Sequence, residues 1–171
     1  MKVLIAYSSR TGNTRRVAEA LAKAAPEGSL LARVEDTPSA DGFDVVFAGY
    51  WLDRGGPDAN AKEFLHSLHG KHIVLFETMG ADPRSEHAYT GFANAGTELS
   101  PDNQIVGVFA VQGVDPALLA MMRKMPEGSA HHSAQMEQTV KEAAKHPNAE
   151  DLKQAETYMK QFIEKYGRYH H

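Results

Sequence analysis

After Met1 and Lys2 the chain reads Val3-Leu4-Ile5-Ala6-Tyr7-Ser8-Ser9-Arg10-Thr11-Gly12-Asn13-Thr14: an apolar run, a hydroxyl-rich turn with one glycine, then the start of a helix. Continuous apolar residues ended by turn signals indicate a buried strand. From Asn13 onward Val17, Leu21 and Ala24 recur at helical spacing until Pro26 and Gly28 stop the pattern, which predicts a helix over residues 13–25. A loop passing from a strand into a helix N-terminus presents unpaired backbone N–H groups and the positive end of the helix dipole. Together these bind a phosphate dianion without needing a cation. Ser9, Thr11 and Thr14 add hydroxyl donors, Gly12 lets the backbone approach closely, and Ser8, Arg10 and Asn13 complete the candidate loop. The same turn can do no more than cap the helix; what favours a phosphate is its place after the first strand of a repeating pattern.

That pattern continues through Leu30-Leu31-Ala32-Arg33-Val34, Val45-Val46-Phe47-Ala48, Ile73-Val74-Leu75-Phe76 and Ile105-Val106-Gly107-Val108-Phe109-Ala110. Hydrophobicity that is continuous rather than alternating marks strands covered on both faces, as in a parallel sheet. Helical segments fall between them. One is expected over residues 58–69 with Phe64, Leu65 and Leu68 on one face, and another over residues 85–96 through Tyr89, Phe92 and Ala93. The last lies between Pro147 and Gly167, where Leu152, Ala155, Met159, Phe162, Ile163 and Tyr166 form one stripe. Five strands alternating with helices predict an α/β fold, a doubly wound five-stranded parallel sheet between two helical layers. Residues 121–146 break the alternation and read as an excursion with a short helix over 133–144; long inserts of this kind are more often functional than idle.

Composition narrows the chemistry. The 171 residues, 42% of them apolar, fit a single domain over 1–171. The net charge of −4 supplies no basic field for nucleic acid or anionic lipid. Without cysteine there are no disulfides, thiolate nucleophiles or cysteine-ligated clusters, so redox chemistry must come from a cofactor. The opening apolar run is too short for a membrane span or a signal-peptide core, and a cytoplasmic location is the default expectation. His170 and His171 carry no weight, since a terminal His pair can be a tag remnant.

There is no Gly-x-Gly-x-x-Gly for a dinucleotide and no Gly-Lys-Ser/Thr for a nucleoside triphosphate, so a monophosphate fits better. Ser9-Arg10-Thr11-Gly12-Asn13-Thr14 resembles the phosphate-binding signature of the flavodoxin family: Ser/Thr, any residue, Thr, Gly, any residue, Thr. The order of strands and helices is similar to that family through about residue 115. The resemblance implies strand order 2-1-3-4-5 and FMN at the switch point outside the carboxyl ends of the strands. Within it, the long 50–57 loop and Ser85-Glu86-His87-Ala88 resemble a subfamily of anaerobic bacteria associated with bilirubin reduction.

On this reading the loop after the third strand, Tyr50-Trp51-Leu52-Asp53-Arg54-Gly55, flanks the flavin ring. Trp51, the only tryptophan, is the flat partner and Tyr50 a lesser one; a tryptophan that simply seals the loop is the alternative. Thr78-Met79-Gly80-Ala81-Asp82 would lie along the pyrimidine edge. Asp53 and Asp82 should keep that edge short of positive charge and lower the potential of the reduced ring, with Arg54 and Arg84 opposing them. Many flavodoxins carry glycine after the ring-flanking residue; Leu52 here implies a less stabilised half-reduced flavin unless Gly55 or Gly56 takes that part.

Five histidines, His66, His69, His131, His132 and His146, lack a third ligand at matching spacing, and no metal site is expected. Glu86-His87 is a weak candidate proton relay, and Met121, Met122, Met125 and Met136 fit either a docking surface or plain packing. No catalytic side chain is evident. The expected function is electron transfer by bound FMN between a reductase donor and an acceptor enzyme, with no nucleic acid and no membrane insertion. An FMN-dependent quinone or tetrapyrrole reductase of the same fold is the alternative, in which the excursion forms a substrate pocket. A flavin-free α/β module is a third class; a receiver domain is disfavoured because the first strand ends in Tyr7-Ser8-Ser9 where an acidic pair would hold Mg²⁺.

Overall fold

Parity along the strands divides the interior in two. Val3, Ile5 and Tyr7 of the first strand, with Val45, Phe47, Val74, Phe76 and Val111, face one side of the sheet, where Val17 and Leu21 of the first helix and Ala155 and Met159 of the last cover them. Leu4, Ala6, Val46, Ala48, Tyr50, Ile73 and Leu75 face the other side, against Ala61, Phe64, Leu65, Leu68 and Ala95. A strand with both faces buried needs apolar residues at every position, which is why these runs do not alternate. Three layers result.

The computed structural model describes residues 1–37, 39–124, 126 and 134–170. In chain order the elements are β1 (Val3–Tyr7), α1 (Asn13–Lys23), β2 (Leu30–Arg33), a 3-10 turn (Val34–Asp36), β3 (Val45–Asp53), β4 (Gly56–Pro57), α2 (Ala59–His66), β5 (His72–Met79), α3 (Glu86–Thr97), β6 (Gln104–Gln112), α4 (Pro116–Arg123), α5 (Ala134–Ala143) and α6 (Ala149–Tyr169). The sheet runs β2-β1-β3-β5-β6, all parallel, and the two-residue β4 pairs antiparallel with β3. Counting the five parallel strands alone, this is the expected 2-1-3-4-5 order.

Several boundaries differ for physical reasons. β3 and β5 run past their apolar cores to Asp53 and Met79, because backbone pairing continues whatever the side chains: through Tyr50↔Glu77 and Trp51↔Thr78 between them, then from Leu52 and Asp53 to β4 and from Met79 to β6. Residues 50–53 are therefore strand, not loop. α2 stops at His66 rather than at residue 69, where the Ser67 hydroxyl donates to the Phe64 carbonyl at 2.5 Å and offers the last turn another partner. α3 buries Ala88, Gly91 and Ala95 and leaves Tyr89 65% exposed. Small residues three and four apart let this helix sit close to the sheet. α4 was not anticipated, and Met121 and Met136 are exposed. Met125, His131 and His132 lie outside the described residues, as does the side chain of Met122.

α6 packs as expected. Phe47 is fully buried and meets the rings of Tyr158 and Phe162 edge-on, at 6.3 and 5.2 Å between centroids, contacts each worth about 0.5–1.5 kcal/mol beyond burial. Asn148 and Asp151 cap the helix start reciprocally.

Gly49 stands opposite Phe76 in the β3/β5 register, and a Cβ there would lie 2.1 Å from the ring. Overpacking a rigid core costs about 1–3 kcal/mol, so Gly49→Ala should lower the unfolding free energy in urea by about 2–3 kcal/mol. Combining it with Phe76→Leu should return part of that loss. An unchanged urea midpoint for Gly49→Ala would contradict the packing described.

Candidate flavin-binding cleft

β1 has β2 on one side and β3 on the other, so the connections leaving β1 and β3 diverge and a crevice opens at their carboxyl ends. A cleft of about 180 Å³ occupies this point, lined by Arg10, Thr11, Asn13 and Thr14, by Trp51 and Leu52, by Thr78, Met79 and Gly80, and by Gly113, Val114 and Asp115. The larger hollow of about 540 Å³ between the 3-10 turn and α2 contains none of the switch-point loops. Its Asn60 is already tied to Glu35 at 3.0 Å.

The loop between β1 and α1 is held from behind. Ser8 extends the sheet through its N–H to the Gly49 carbonyl at 2.9 Å, and its buried hydroxyl donates to Asp58 Oδ1 at 2.6 Å. Ser8 thus braces the loop instead of lining it. Asp58 also caps α2 by accepting from the Ala61 N–H at 3.2 Å, and its Oδ2 has no partner among the described residues. Ser9 Oγ accepts from the Gly12 N–H at 3.1 Å, which closes the turn. Gly12, at φ 95°, is the N-cap of α1 and no side chain caps the helix, leaving its first-turn N–H groups directed at the cleft mouth. Thr14 meets Thr78 hydroxyl to hydroxyl at 2.9 Å, and Asn13 Nδ2 donates to the Val114 carbonyl at 3.3 Å. Thr11 is exposed.

Trp51 forms one wall from β3, half-buried, with the Arg10 guanidinium 5.6 Å from its ring centroid. Arg10 Nε also lies 3.7 Å from Asp115 across the cleft. Tyr50 is not a wall: strand parity sends it into the opposite core, where its hydroxyl donates to Glu77 Oε2 at 2.9 Å. Asp53, Arg54 and Gly55 form the tight turn into β4, with φ of 54° at Arg54 and 83° at Gly55, and Asn94 Nδ2 holds the Gly55 carbonyl at 2.8 Å. They do not line the cleft. The positive φ at Gly55 is thus spent on the hairpin.

On the far side, Gln112 Nε2 donates to the Gly80 carbonyl at 3.0 Å and the Gly113 N–H to Met79 at 2.7 Å. Ala81 and Asp82 follow but are not part of the lining. Asp82 faces a second hollow of about 530 Å³ with Arg84, Gln112 and His146. Hydrogen bonds from Arg84 hold the Asp82 carboxyl below the usual carboxylate range. This pair cancels the acidic edge expected there. In the same hollow the Asp151 carboxylate, 2.6 Å from His146 Nδ1, raises that imidazole above its ordinary range. His66 contacts Glu98 and His69 lies 3.5 Å from Asp102. Among the described residues no three such side chains converge as a metal would require.

Gly113, Val114 and Asp115 were missed because the fifth strand was read only to its apolar end. Their signal is the glycine itself, where a Cβ would lie 2.9 Å from Asn13 Nδ2. Glu77 was missed too. Its signal is an acid inside the apolar run of β5; it is fully buried, Oε1 has no partner among the described residues, and burial pushes its carboxyl up to about 8.

The Flavodoxin domain family model matches residues 4–160. The "Flavodoxin-like domain-containing protein BilS" of Clostridioides difficile (strain CD3) is 31% identical over 95% of this chain and 97% of its own length. The protein of that name from Clostridium symbiosum is 28% identical over 89% and 90%. Among solved structures, oxidised Flavodoxin 2 from Bacillus cereus superposes with a TM-score of 0.56 at 19% identity, covering 96% of this chain and 99% of that one. A flavoprotein in complex with FMN from Lactobacillus acidophilus NCFM gives 0.53 at 15% identity, covering 72% and 99%. Fold, loop signature and sequence agree, and the chain belongs to the flavodoxin family.

Proposed function

We propose that this chain is one flavodoxin-like domain that binds FMN in the switch-point cleft and carries electrons from a reductase to an acceptor enzyme. The observation that carries the reading is the uncapped N-terminus of α1, with left-handed Gly12 at its entrance and a tryptophan beside it. The donor set suits the ligand. A phosphate dianion takes the free N–H groups of α1 and the Thr11 hydroxyl with the helix dipole behind them, and needs no lysine. Trp51 gives a planar group an indole surface, for which it competes with Arg10. Thr78 to Gly80 supply backbone groups along another edge.

FMN supplies one- and two-electron chemistry when bound; the side chains described bind, orient and shield it. Because about 180 Å³ is less than the roughly 300–1,000 Å³ that encloses a drug-sized ligand, an occupant here stays partly exposed. A carrier needs that exposed edge to exchange electrons with a partner protein. No helix among the described residues is long and apolar enough to cross a membrane. The hollow beside Asp82 and His146 is what favours the second reading, an FMN-dependent reductase of a quinone or tetrapyrrole. Steady-state turnover of such an acceptor with NAD(P)H alone would establish it.

Titrating the apoprotein with FMN and with riboflavin isolates the phosphate. Two charge-assisted hydrogen bonds at about 1.5 kcal/mol each predict that riboflavin binds at least about a hundredfold more weakly. Thr11→Ala should weaken FMN about tenfold and leave riboflavin unchanged. Equal affinities for the two flavins would refute the phosphate site.

Trp51 is the only tryptophan, so its fluorescence reports on the cleft directly. FMN should quench it at one equivalent, and Trp51→Leu should cost both flavins about threefold to tenfold in affinity, the worth of one aromatic stack. Binding that leaves this emission unaltered would place the ring elsewhere.

A further inference from the structure

β5 points at the cleft, and its residues alternate in direction. Thr78 and Phe76 face α1, whereas Glu77 and Met79 face α3, so Glu77 stands one same-face step behind a residue that lines the cleft. Leu52, another lining residue, adjoins it: a Cβ on Gly91 would lie 2.7 Å from Glu77 Oε2 and 2.7 Å from Leu52 Cδ2. Gly91 on α3 is thus the notch that admits a carboxyl group directly behind the cleft wall.

The socket is closed and nearly apolar. β3 contributes Tyr50, whose hydroxyl donates to Oε2, and Leu52; α3 contributes Gly91; Ala110 is the register partner on β6. Among the described residues no cation faces Glu77 and its second oxygen has no partner. The buried Tyr50 hydroxyl needs an acceptor, but the amide oxygen of a glutamine would serve it equally well, so packing and hydrogen bonding give no reason for an ionisable acid here.

We propose that Glu77 is a redox-linked proton site: its carboxylate takes up one proton from solvent when an external reductant adds negative charge to the flavin in front of it. The only bond formed is O–H on Glu77, the proton comes from water or buffer, and the electrons stay on the flavin. The inference rests on the FMN reading above.

The sign follows from the local charge. Burial alone keeps the proton on the carboxyl up to about pH 8, so with no added charge in the cleft the wall behind it is uncharged at neutral pH. At higher pH the carboxylate opposes added electrons unless it is reprotonated, so reduction there draws in one extra proton. The midpoint potential of the FMN-loaded wild type should fall more steeply with pH above about 8 than that of Glu77→Gln, and the two slopes should coincide near pH 6. Tyr50→Phe removes the hydrogen bond that favours the charged form, so its break should move to higher pH with the carboxyl still in place.

A measurement independent of flavin accompanies these. The infrared spectrum of the apoprotein near pH 6 should contain a protonated-carboxyl C=O band that fades as pH rises through about 8, shifts in Tyr50→Phe and is missing in Glu77→Gln. Tight FMN binding with parallel potential curves for wild type and Glu77→Gln would overturn the inference and leave the carrier standing. A missing infrared band would overturn it as well. Failure of FMN to bind at all would instead remove the carrier, and this role of Glu77 with it.

Discussion

Everything at the cleft depends on one constraint, the reversal of winding at β1. Because consecutive parallel strands lie on opposite sides of it, α1 and α2 pass to opposite faces and cannot cover the space between them. The first turn of α1 therefore ends in an open crevice. Ser8 and Asp58 then lock the entrance of α1 to that of α2 through one buried hydroxyl–carboxylate bond. The same topology that buries two apolar faces leaves one polar edge undressed.

Electrostatics at that edge is made of dipoles and neutralised pairs more than of free charges. Asp82 is matched by Arg84, and Arg10 by Asp115 across the mouth. These exposed pairs contribute little to stability. Between them stands the N-terminus of α1, which no side chain caps, on a protein whose net charge is −4.

Much of this was legible in the sequence. The parallel sheet covered on both faces followed from continuous apolar runs, its strand order from the resemblance to flavodoxins, and the place of the hydroxyl-rich turn at the switch-point cleft from its position after the first strand. What escaped was nonlocal. Whether Tyr50 or Trp51 faces the cleft is settled by strand parity, which holds at these two residues because both still pair with β5, a strand distant in sequence. The sequence pattern assigned no face to α3, which approaches the sheet on Ala88, Gly91 and Ala95; the nearness of Leu52 and Glu77 to Gly91 explains why a residue without a side chain stands there. Asp115 joins the cleft from the turn between β6 and α4, far beyond Arg10 in the chain. Such juxtapositions depend on the sheet, not on any one segment.

The two backbone and side-chain bonds that clip the end of β5 to β6, from Gly113 to Met79 and from Gln112 to Gly80, bear on how the cleft wall responds to charge. They turn a would-be swinging loop into an extension of the sheet. Dipoles fixed in this way scarcely turn when the charge of a neighbouring group changes. A change of charge in the cleft would therefore meet a wall that stays still, which keeps the reorganisation demanded of it small.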